Sequence, residues 1–215
     1  SCMHERTEAA TILREYGPFP GVEAVHGVSY DGERIWLASG DALHALDPDS
    51  GQLVRHLQIA CDAGTAFDGR LLYQVAADRI HTIDPVRGEV LRSLPTPGPG
   101  CSGLAWAEGS LWLGKYRERS ILRIDPQTGA VLQTLRSDRF VTGITFADGL
   151  LWHGTWEGTS ELRGLDPATG AVLERLVLPA DVVVSGLEAD GGDRLYAGGG
   201  PSGLLRAVRR PRRRP

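Results

Sequence analysis

Short runs of apolar residues separated by polar turns make up most of this chain. In residues 103–135 the runs are GLAW, SLWLG, ILRID and AVLQTL, separated by an Ala-Glu-Gly turn, a KYRERS loop and a DPQTG turn. Apolar runs of this length, bounded by glycine, proline and small polar residues, are typical of β-strands. The stretch therefore predicts four strands in succession, and nearly every other part of the sequence repeats its pattern.

Five copies of this pattern can be aligned on one glycine each. Successive marker glycines lie 37, 39, 40 and 43 residues apart, at Gly27, Gly64, Gly103, Gly143 and Gly186. The second strand of each copy carries an aromatic residue, at Trp36, Tyr73, Trp112, Trp152 and Tyr196. A period of about 40 residues with four strands per copy is typical of β-propellers. The sequence therefore predicts an all-β fold, a five-bladed β-propeller with four antiparallel strands in each blade.

Four of the copies share a turn between their third and fourth strands. Each turn begins with an Asp-Pro pair, at residues 47–48, 84–85, 125–126 and 166–167. Proline sets the φ angle of the second turn position, and a glycine shortly afterwards supplies the positive φ that ends the turn. The recurrence of this turn at one register supports the four-strand repeat.

The residues just after each marker glycine indicate how closely the innermost strands pack near the axis. The second position after the glycine is small or modest in four copies and acidic in the fifth: Ser29, Ala66, Ala105, Thr145 and Glu188. The next position is aromatic in four copies, at Tyr30, Phe67, Trp106 and Phe146. We expect the first set to lie close to the axis and the second set to pack against neighbouring blades.

The fifth copy lacks a fourth strand, because Arg209 and Arg210 stand where its Asp-Pro turn should be. Residues 11–16 (TILREY) have the pattern of the fourth strands QLVRHL and EVLRSL. The N-terminal strand is therefore predicted to complete the last blade and cover its open edge. The predicted single domain spans 1–208, with the closing strand at 11–16 and blades at about 22–57, 60–94, 100–135, 140–176 and 182–208, followed by a basic disordered tail at 209–215.

Composition narrows the classes of partner. The net charge is −4, but five arginines lie in the last seven residues, and the rest of the chain carries 18 basic against 27 acidic residues. An acidic body argues against nucleic-acid binding by the folded face. No run of eighteen apolar residues and no apolar signal core is present, so we expect no membrane association. Three cysteines without a regular pattern favour a reducing compartment, and we expect a cytoplasmic location.

Function must come from residues that depart from the repeat, at the mouth of the central channel. Two sets of loops wall that mouth in a propeller: those leading into the first strand of each blade and those joining its second and third strands. The first set is 18–25, 60–63, 97–102, 138–141 and 180–184, and the second is 39–41, 75–78, 115–120, 153–160 and 198–202.

His26 and Asp62 are the candidate catalytic residues. His26 precedes a marker glycine where other copies carry Ala, Ser or Thr, and Asp62 stands where three copies carry Val. Because histidine titrates near neutral pH, an imidazole at the mouth can act as an acid or base, oriented by a nearby carboxylate. The alternatives are a histidine that plugs the channel through a hydrogen bond and an aspartate that forms a structural ion pair.

The candidate ligand-binding residues are Cys101, Lys115, Tyr116, Trp156 and Glu157. Trp156 lies outside the core register, so blade packing does not explain it, and an aromatic wall with nearby charges suits a small ligand with one flat and one charged part. Arg117–Arg119 is interpreted as surface charge. Cys101 and Cys61 lead into adjacent blades, and buried free thiols are the alternative to a reactive pair.

No metal site is predicted, because the chain has no Cys-x-x-Cys or His-x-x-x-His spacing. His44 and His81 share a register on third strands, away from the axis, and are interpreted as packing residues. The sequence leaves open whether any cofactor is used.

Two segments carry a resemblance to known propellers. SLWLGKYRERSILRIDPQTGAV and LLWHGTWEGTSELRGLDPATGAV look like repeats of streptogramin lyases, and the five-copy count with LLWHGTWEGTSELRGLDPATGAVLERLVLP is similar to plant-type glutaminyl cyclases. The cyclase resemblance implies a five-bladed fold and a pocket tryptophan at Trp156. It also implies a glutamine before the first marker glycine and a catalytic glutamate after the first second-strand aromatic, where this chain has His26 and Leu37.

Two functional hypotheses follow from these residues. The first is a glutamine cyclotransferase-like or lyase-like enzyme that takes a small or peptide-like molecule at the channel mouth, with His26 as acid or base. The second is a non-catalytic propeller that binds such a ligand, or a protein partner, at the same place.

Overall fold

The computed structural model describes residues 5–211, which form five sheets arranged as blades around one axis. Two strands precede the first blade, β1 (Arg6–Ala9) and β2 (Ile12–Tyr16). Blade 1 consists of β3 (Gly27–Tyr30), β4 (Ile35–Ala38), β5 (Leu43–Leu46) and β6 (Leu53–Leu57). Blade 2 consists of β7 (Thr65–Phe67), β8 (Leu72–Ala76), β9 (Arg79–Asp84) and β10 (Glu89–Pro95).

The remaining strands complete three further blades. Blade 3 consists of β11 (Cys101–Ala107), β12 (Ser110–Lys115), β13 (Ser120–Ile124) and β14 (Val131–Arg136). Blade 4 consists of β15 (Phe140–Ala147), β16 (Leu150–Trp156), β17 (Glu161–Leu165) and β18 (Val172–Val177). Blade 5 consists of β19 (Gly186–Ala189), β20 (Arg194–Gly198), β21 (Leu205–Arg209) and, as its outermost strand, β2. The predicted all-β, five-bladed fold with four antiparallel strands per blade is confirmed.

The N-terminal strand closes the last blade as predicted. β2 pairs antiparallel with β21, with Tyr16 opposite Leu205. The strand β1 was not predicted. It adds a fifth strand to blade 4 and runs parallel to β18. Its sequence RTEA carries no apolar pattern and only Arg6 is partly buried, because backbone pairing and a 2.8 Å ion pair between Arg6 and Glu174 hold the strand.

The marker glycines lie where the innermost strands of adjacent blades approach most closely. A Cβ atom on Gly143 would be 2.6 Å from the backbone nitrogen of Leu187, and one on Gly186 would be 2.6 Å from that of Val28. Real Cβ atoms essentially never come so close to backbone atoms. Each marker glycine faces the next blade in this way, and the fifth faces the first, so the repeat spacing is set by the packing of the ring.

Aromatic pairs fill the space between blades, as the sequence predicted. Trp112 and Phe146 join blades 3 and 4 with ring centroids 5.0 Å apart, and Tyr73 stacks on Trp106 between blades 2 and 3 at 5.6 Å. The second strands are buried over almost their whole length, because sheets cover both of their faces. The core therefore consists of layers between blades, arranged around the axis.

The Asp-Pro turns join neighbouring blades at the end of the propeller opposite the starts of the innermost strands. Within each turn the aspartate accepts hydrogen bonds from backbone amides two or three residues ahead. The turn carbonyls also accept hydrogen bonds from the outermost strand of the preceding blade, in the pairs Arg14–Pro48, Arg55–Pro85, Arg92–Pro126 and Gln133–Pro167. The seam between blades 4 and 5 has no such turn.

Arg209 and Arg210 correct the predicted boundary of the tail. Arg209 is the last residue of β21, and the Arg210 guanidinium lies 3.2 Å from an Asp190 carboxylate oxygen and 3.7 Å from one of Asp148. These ion pairs bridge blades 4 and 5 where the turn is missing, so both arginines belong to the folded domain. The rest of the predicted tail, from residue 212 onward, lies outside the described residues. Within residues 5–211 no helix is long and apolar enough to cross a membrane.

Candidate functional site

A cavity of about 500 Å³ lies at the end of the propeller where the innermost strands begin. All five blades contribute to its wall. The lining residues are His26, Asp62, Ala63, Gly100, Cys101, Ser102, Tyr116, Arg117, Thr142, Trp156, Val183, Val184 and Ser185. The wall thus comes from loops in or next to the two sets singled out in the sequence, and it includes five of the seven candidate residues.

One register of the repeat supplies the ring of side chains around this cavity. The residue immediately before each marker glycine lines the cavity in every blade: His26, Ala63, Ser102, Thr142 and Ser185. Only His26 of these residues was selected from the sequence. The others were missed because they are ordinary small residues. The signal that finds them is their shared position before the marker glycine.

His26 is partly buried at the start of blade 1. Its backbone amide donates a 2.8 Å hydrogen bond to the carbonyl of Ala38, which fixes it beside the second strand. The imidazole lies against Gly40, where an added Cβ would be 3.8 Å from Nε2. Two backbone hydrogen bonds join Gly40 to Cys61, so the backbone against which the imidazole packs is fixed on that side.

Asp62 lies in the same cavity but does not orient His26 through a hydrogen bond. Its carboxylate oxygens accept the backbone amide of Ala77 at 3.0 and 3.2 Å. Ala77 has a positive φ of 53°, so the carboxylate caps a tight turn. No hydrogen bond joins the side chains of Asp62 and His26 in the described part of the chain, so no direct contact supports the orienting role predicted for Asp62.

Trp156 and Tyr116 form the aromatic side of the cavity. Phe140 lies opposite Trp156 in the pairing of β15 with β16, and its ring stacks on Tyr116 with centroids 4.8 Å apart. The guanidinium of Arg119 covers the Phe140 ring at 4.6 Å. Because Tyr116 is held from behind by this stack, its ring is a preorganised surface for a flat ligand group.

Cys101 also lines the cavity, on the first strand of blade 3. Burial raises the pKa of its thiol, so the thiolate, which is the nucleophilic form, is disfavoured. Cys61 is fully buried, and burial raises its pKa as well. Both cysteines are free. Cys101 is therefore a weakly polar contact in the wall, and the reactive pair considered from the sequence is not supported.

Lys115 and Glu157 do not line the cavity, although the sequence analysis selected both. Lys115 is only 2% exposed, and its ammonium group donates to the carbonyls of Pro97 and Pro99. The Glu157 carboxylate accepts the backbone amide of Phe140 at 3.3 Å and lies 3.6 Å from the Arg119 guanidinium. Because both charged groups bind nearby backbone groups, these residues stabilise the loops that form the wall and do not face the cavity.

Arg117 is an exposed charged residue, as interpreted from the sequence, and it also lines the cavity. It is exposed at the cavity rim between Tyr116 and Glu118. No sequence pattern separates Arg117 from Arg119. The difference arises because Arg119 turns onto Phe140 and Glu157, whereas Arg117 remains at the opening.

Deeper along the axis, one carboxylate stands among small residues. Glu188 of β19 accepts hydrogen bonds from the hydroxyl of Thr145 in blade 4 and, at 3.3 Å, from that of Ser29 in blade 1. It also accepts the backbone amide of Ala189 at 3.1 Å. Burial raises the pKa of Glu188 to about 7, although these hydrogen bonds oppose the rise. The carboxyl group joins three blades at the axis.

The position after the second-strand aromatic carries no acid in any blade. In blade 1 it is Leu37, which is fully buried, and in the other blades it is Gln74, Leu113, His153 and Ala197. His153 is buried, and its Nδ1–H donates to the carbonyl of Gly154 at 2.8 Å. Burial lowers its pKa to about 4, so the imidazole is neutral at ordinary pH.

Comparison with known proteins supports the fold more than the chemistry. The sequence matches no protein-family model and no curated protein. The fold is similar to the crystal structure of the Myxococcus xanthus glutaminyl cyclase, with a TM-score of 0.82 and 19% identity over 96% of this chain and 98% of that chain. At this identity the likeness shows a shared propeller fold. The resemblance to streptogramin lyases stays a prediction.

Proposed function

We propose that the cavity at the channel mouth binds a small-molecule or peptide-like ligand, and that the chain acts on it as a glutamine cyclotransferase-like enzyme with His26 as acid or base. The observation that carries this proposal is the cavity itself, in which an imidazole from blade 1 and an aromatic wall from blades 3 and 4 share one opening. The fold similarity to a glutaminyl cyclase adds weight to the choice of reaction.

The shape of the site suits a ligand about the size of an amino acid or a short peptide. Its volume of about 500 Å³ lies within the usual range for small-molecule pockets. The rings of Trp156 and Tyr116 would hold a flat or apolar part of the ligand. Asp62 and the thiol of Cys101 would contact its polar edge.

The proposed reaction is the cyclisation of an N-terminal glutamine residue. The α-amine nitrogen would attack the γ-carboxamide carbon, a carbon–nitrogen bond to the amide nitrogen would break, and ammonia would leave. His26 would accept the proton from the amine and deliver it to the leaving nitrogen, as a single acid–base group can do in both steps.

A second candidate is a binding module without turnover, and one observation favours it. The cyclase pattern places a catalytic glutamate where this chain has the buried Leu37. Among residues 5–211, no carboxylate is hydrogen-bonded to the His26 side chain. If proton transfer needs a second acidic group, the cavity would bind its ligand and leave it unchanged.

The two candidates are separated by following one peptide through both binding and turnover. A glutaminyl dipeptide is incubated with the wild type, H26A and W156A; ammonia release measures turnover, and the shift in thermal midpoint measures binding by mass action. If the protein is a cyclase, the wild type should release ammonia and H26A should not, and W156A should bind the dipeptide more weakly. Binding without ammonia release would favour the binding module. A wild type that neither binds nor converts any glutaminyl peptide would overturn the proposal.

A further inference from the structure

The charged residues around the loop at 115–119 are paired within the protein, with one exception. Lys115 is bonded to two loop carbonyls and lies 3.8 Å from the Glu118 carboxylate. Arg119 lies 3.6 Å from the Glu157 carboxylate and covers the ring of Phe140. These contacts stabilise the loop and pair the charges of Lys115, Glu118 and Arg119 within the protein.

Arg117 is the exception. It is exposed and lines the cavity, and within the described range 5–211 its guanidinium has no hydrogen bond or ion pair. The residue before it, Tyr116, is fixed by the stack on Phe140, so the backbone at Arg117 is anchored while its side chain is free. A free guanidinium beside an aromatic wall, on a fixed stretch of backbone, is available to a bound molecule.

The other charged groups of the cavity do not neutralise this cation. Among the described residues that line the cavity, Asp62 is the one acidic residue, and its carboxylate accepts the Ala77 amide and forms no ion pair with Arg117. A guanidinium binds a carboxylate with two parallel hydrogen bonds, which gives both strength and orientation. One free guanidinium matches a monoanionic carboxylate better than a phosphate, because a dianionic group calls for several cationic partners and the ammonium of Lys115 is already used.

We propose that the ligand of this cavity carries a carboxylate group that Arg117 binds, next to a flat or apolar body that lies on Trp156 and Tyr116. This inference rests on the proposed function, since it uses the same cavity. It adds to the proposed function that the ligand is negatively charged and that Arg117 selects for this charge.

Three indole compounds with the same ring and different charges test the inference. Indole-3-acetate is anionic, indole-3-acetamide is neutral and tryptamine is cationic. Their affinities for the wild type, R117Q, R117K and W156A are measured by isothermal titration calorimetry at low and moderate salt. R87Q is the matched control, because Arg87 is an exposed arginine in an Asp-Pro turn at the opposite end of the propeller.

We expect indole-3-acetate to bind about tenfold more tightly than indole-3-acetamide, with tryptamine weakest, as one charge-assisted contact provides. R117Q should remove this preference, R117K should retain part of it, and R87Q should leave it unchanged. Added salt should weaken the binding of the acetate alone.

Two outcomes would overturn the inference and differ in what they say of the site. Equal binding of all three compounds that is lost in W156A would leave the proposed pocket intact and reject the selection for carboxylate. No binding of any of the three would reject the inference and the aromatic contact that it uses, whereas the proposed function is decided separately by the binding and turnover of the glutaminyl dipeptide.

Discussion

Arg14 donates a 2.9 Å hydrogen bond from Nη1 to the carbonyl of Pro48, and so joins the N-terminal strand to the first Asp-Pro turn of the propeller. The hydroxyl of Tyr16 donates to the same carbonyl at 2.7 Å. These contacts are the first in a series in which the outermost strand of one blade holds the turn of the next. The start of the chain therefore completes blade 5 and also ties it to blade 1.

Removal of residues 1–16 should lower the thermal midpoint sharply. The truncation exposes the edge of β21 and removes Tyr16, a core residue that is 2% exposed. R14Q is the mild comparison, because it leaves β2 in place and removes only the hydrogen bonds of the Arg14 guanidinium and its contact with the Tyr16 ring; it should cost about 1 kcal/mol. Both are measured by thermal unfolding followed by circular dichroism. An unchanged transition in the truncated protein would reject the closure of the ring by β2.

G143A should destabilise the protein by more than about 2 kcal/mol or prevent folding, as overpacking against rigid backbone does. The added methyl group would meet the backbone of Leu187 and Gly186 at 2.6 and 2.7 Å. G191A is the matched control, because a Cβ there meets nothing within 4 Å. The free energies of unfolding in urea are compared. Equal effects of the two substitutions would contradict the close packing of the innermost strands.

E188Q should gain stability relative to the wild type as the pH rises. The pKa of Glu188 is raised to about 7 from 4.5, so its carboxyl group contributes stability that is complete below pH 4.5 and is lost as the pH rises through 7. Glutamine keeps the hydrogen bond from Thr145 at its amide oxygen and donates from its amide nitrogen to the Ser29 hydroxyl, without this loss. The difference in unfolding free energy should grow by about 2 to 3 kcal/mol from pH 4.5 to 8.

The measurement for E188Q is urea denaturation across that pH range, with E89Q as the matched control because Glu89 is exposed. The control should show no such growth. A difference between E188Q and the wild type that is constant with pH would mean that the axial carboxyl group ionises normally.

The contribution of His153 to stability should depend on pH in the opposite direction and decrease as the pH falls. Its pKa is lowered to about 4 from 6.5, so the neutral imidazole contributes stability that is complete above pH 6.5 and is lost as the pH falls towards 4. H153L and H153Q should both lose less stability than the wild type between these values. Leucine and glutamine are the residues that Leu113 and Gln74 supply at the same register. Parallel pH profiles for all three proteins would contradict the burial of an uncharged histidine.

The fold was predictable because its constraint recurs. A marker glycine is needed wherever two innermost strands meet, so the same signal appears five times in the sequence. β1 was not predicted, since a strand held by backbone pairing and one ion pair leaves no apolar pattern in RTEA. Arg210 was assigned to the tail for a similar reason, because its partners Asp148 and Asp190 lie far away in the chain.

The position of the candidate site could be predicted from the sequence, but the residues that line it could be predicted only in part. The register before the marker glycine brings His26 to the mouth, and the loops around it bring Trp156 and Tyr116. The direction of a charged side chain depends on which backbone groups compete for it, and no sequence pattern records that competition. Lys115 therefore turned to loop carbonyls, whereas Arg117 remained at the opening.

The proposed function requires a ligand to occupy the space between His26 and Trp156. Occupancy of this space can be followed residue by residue in amide proton–nitrogen correlation spectra of isotope-labelled protein titrated with a glutaminyl dipeptide. The amide signals of His26, Ser102 and Trp156 should shift with one saturating curve, while those of the Asp-Pro turns at the opposite end, such as Gln127, should stay in place. Shifts confined to the Asp-Pro turns, or no shifts at millimolar peptide, would contradict it.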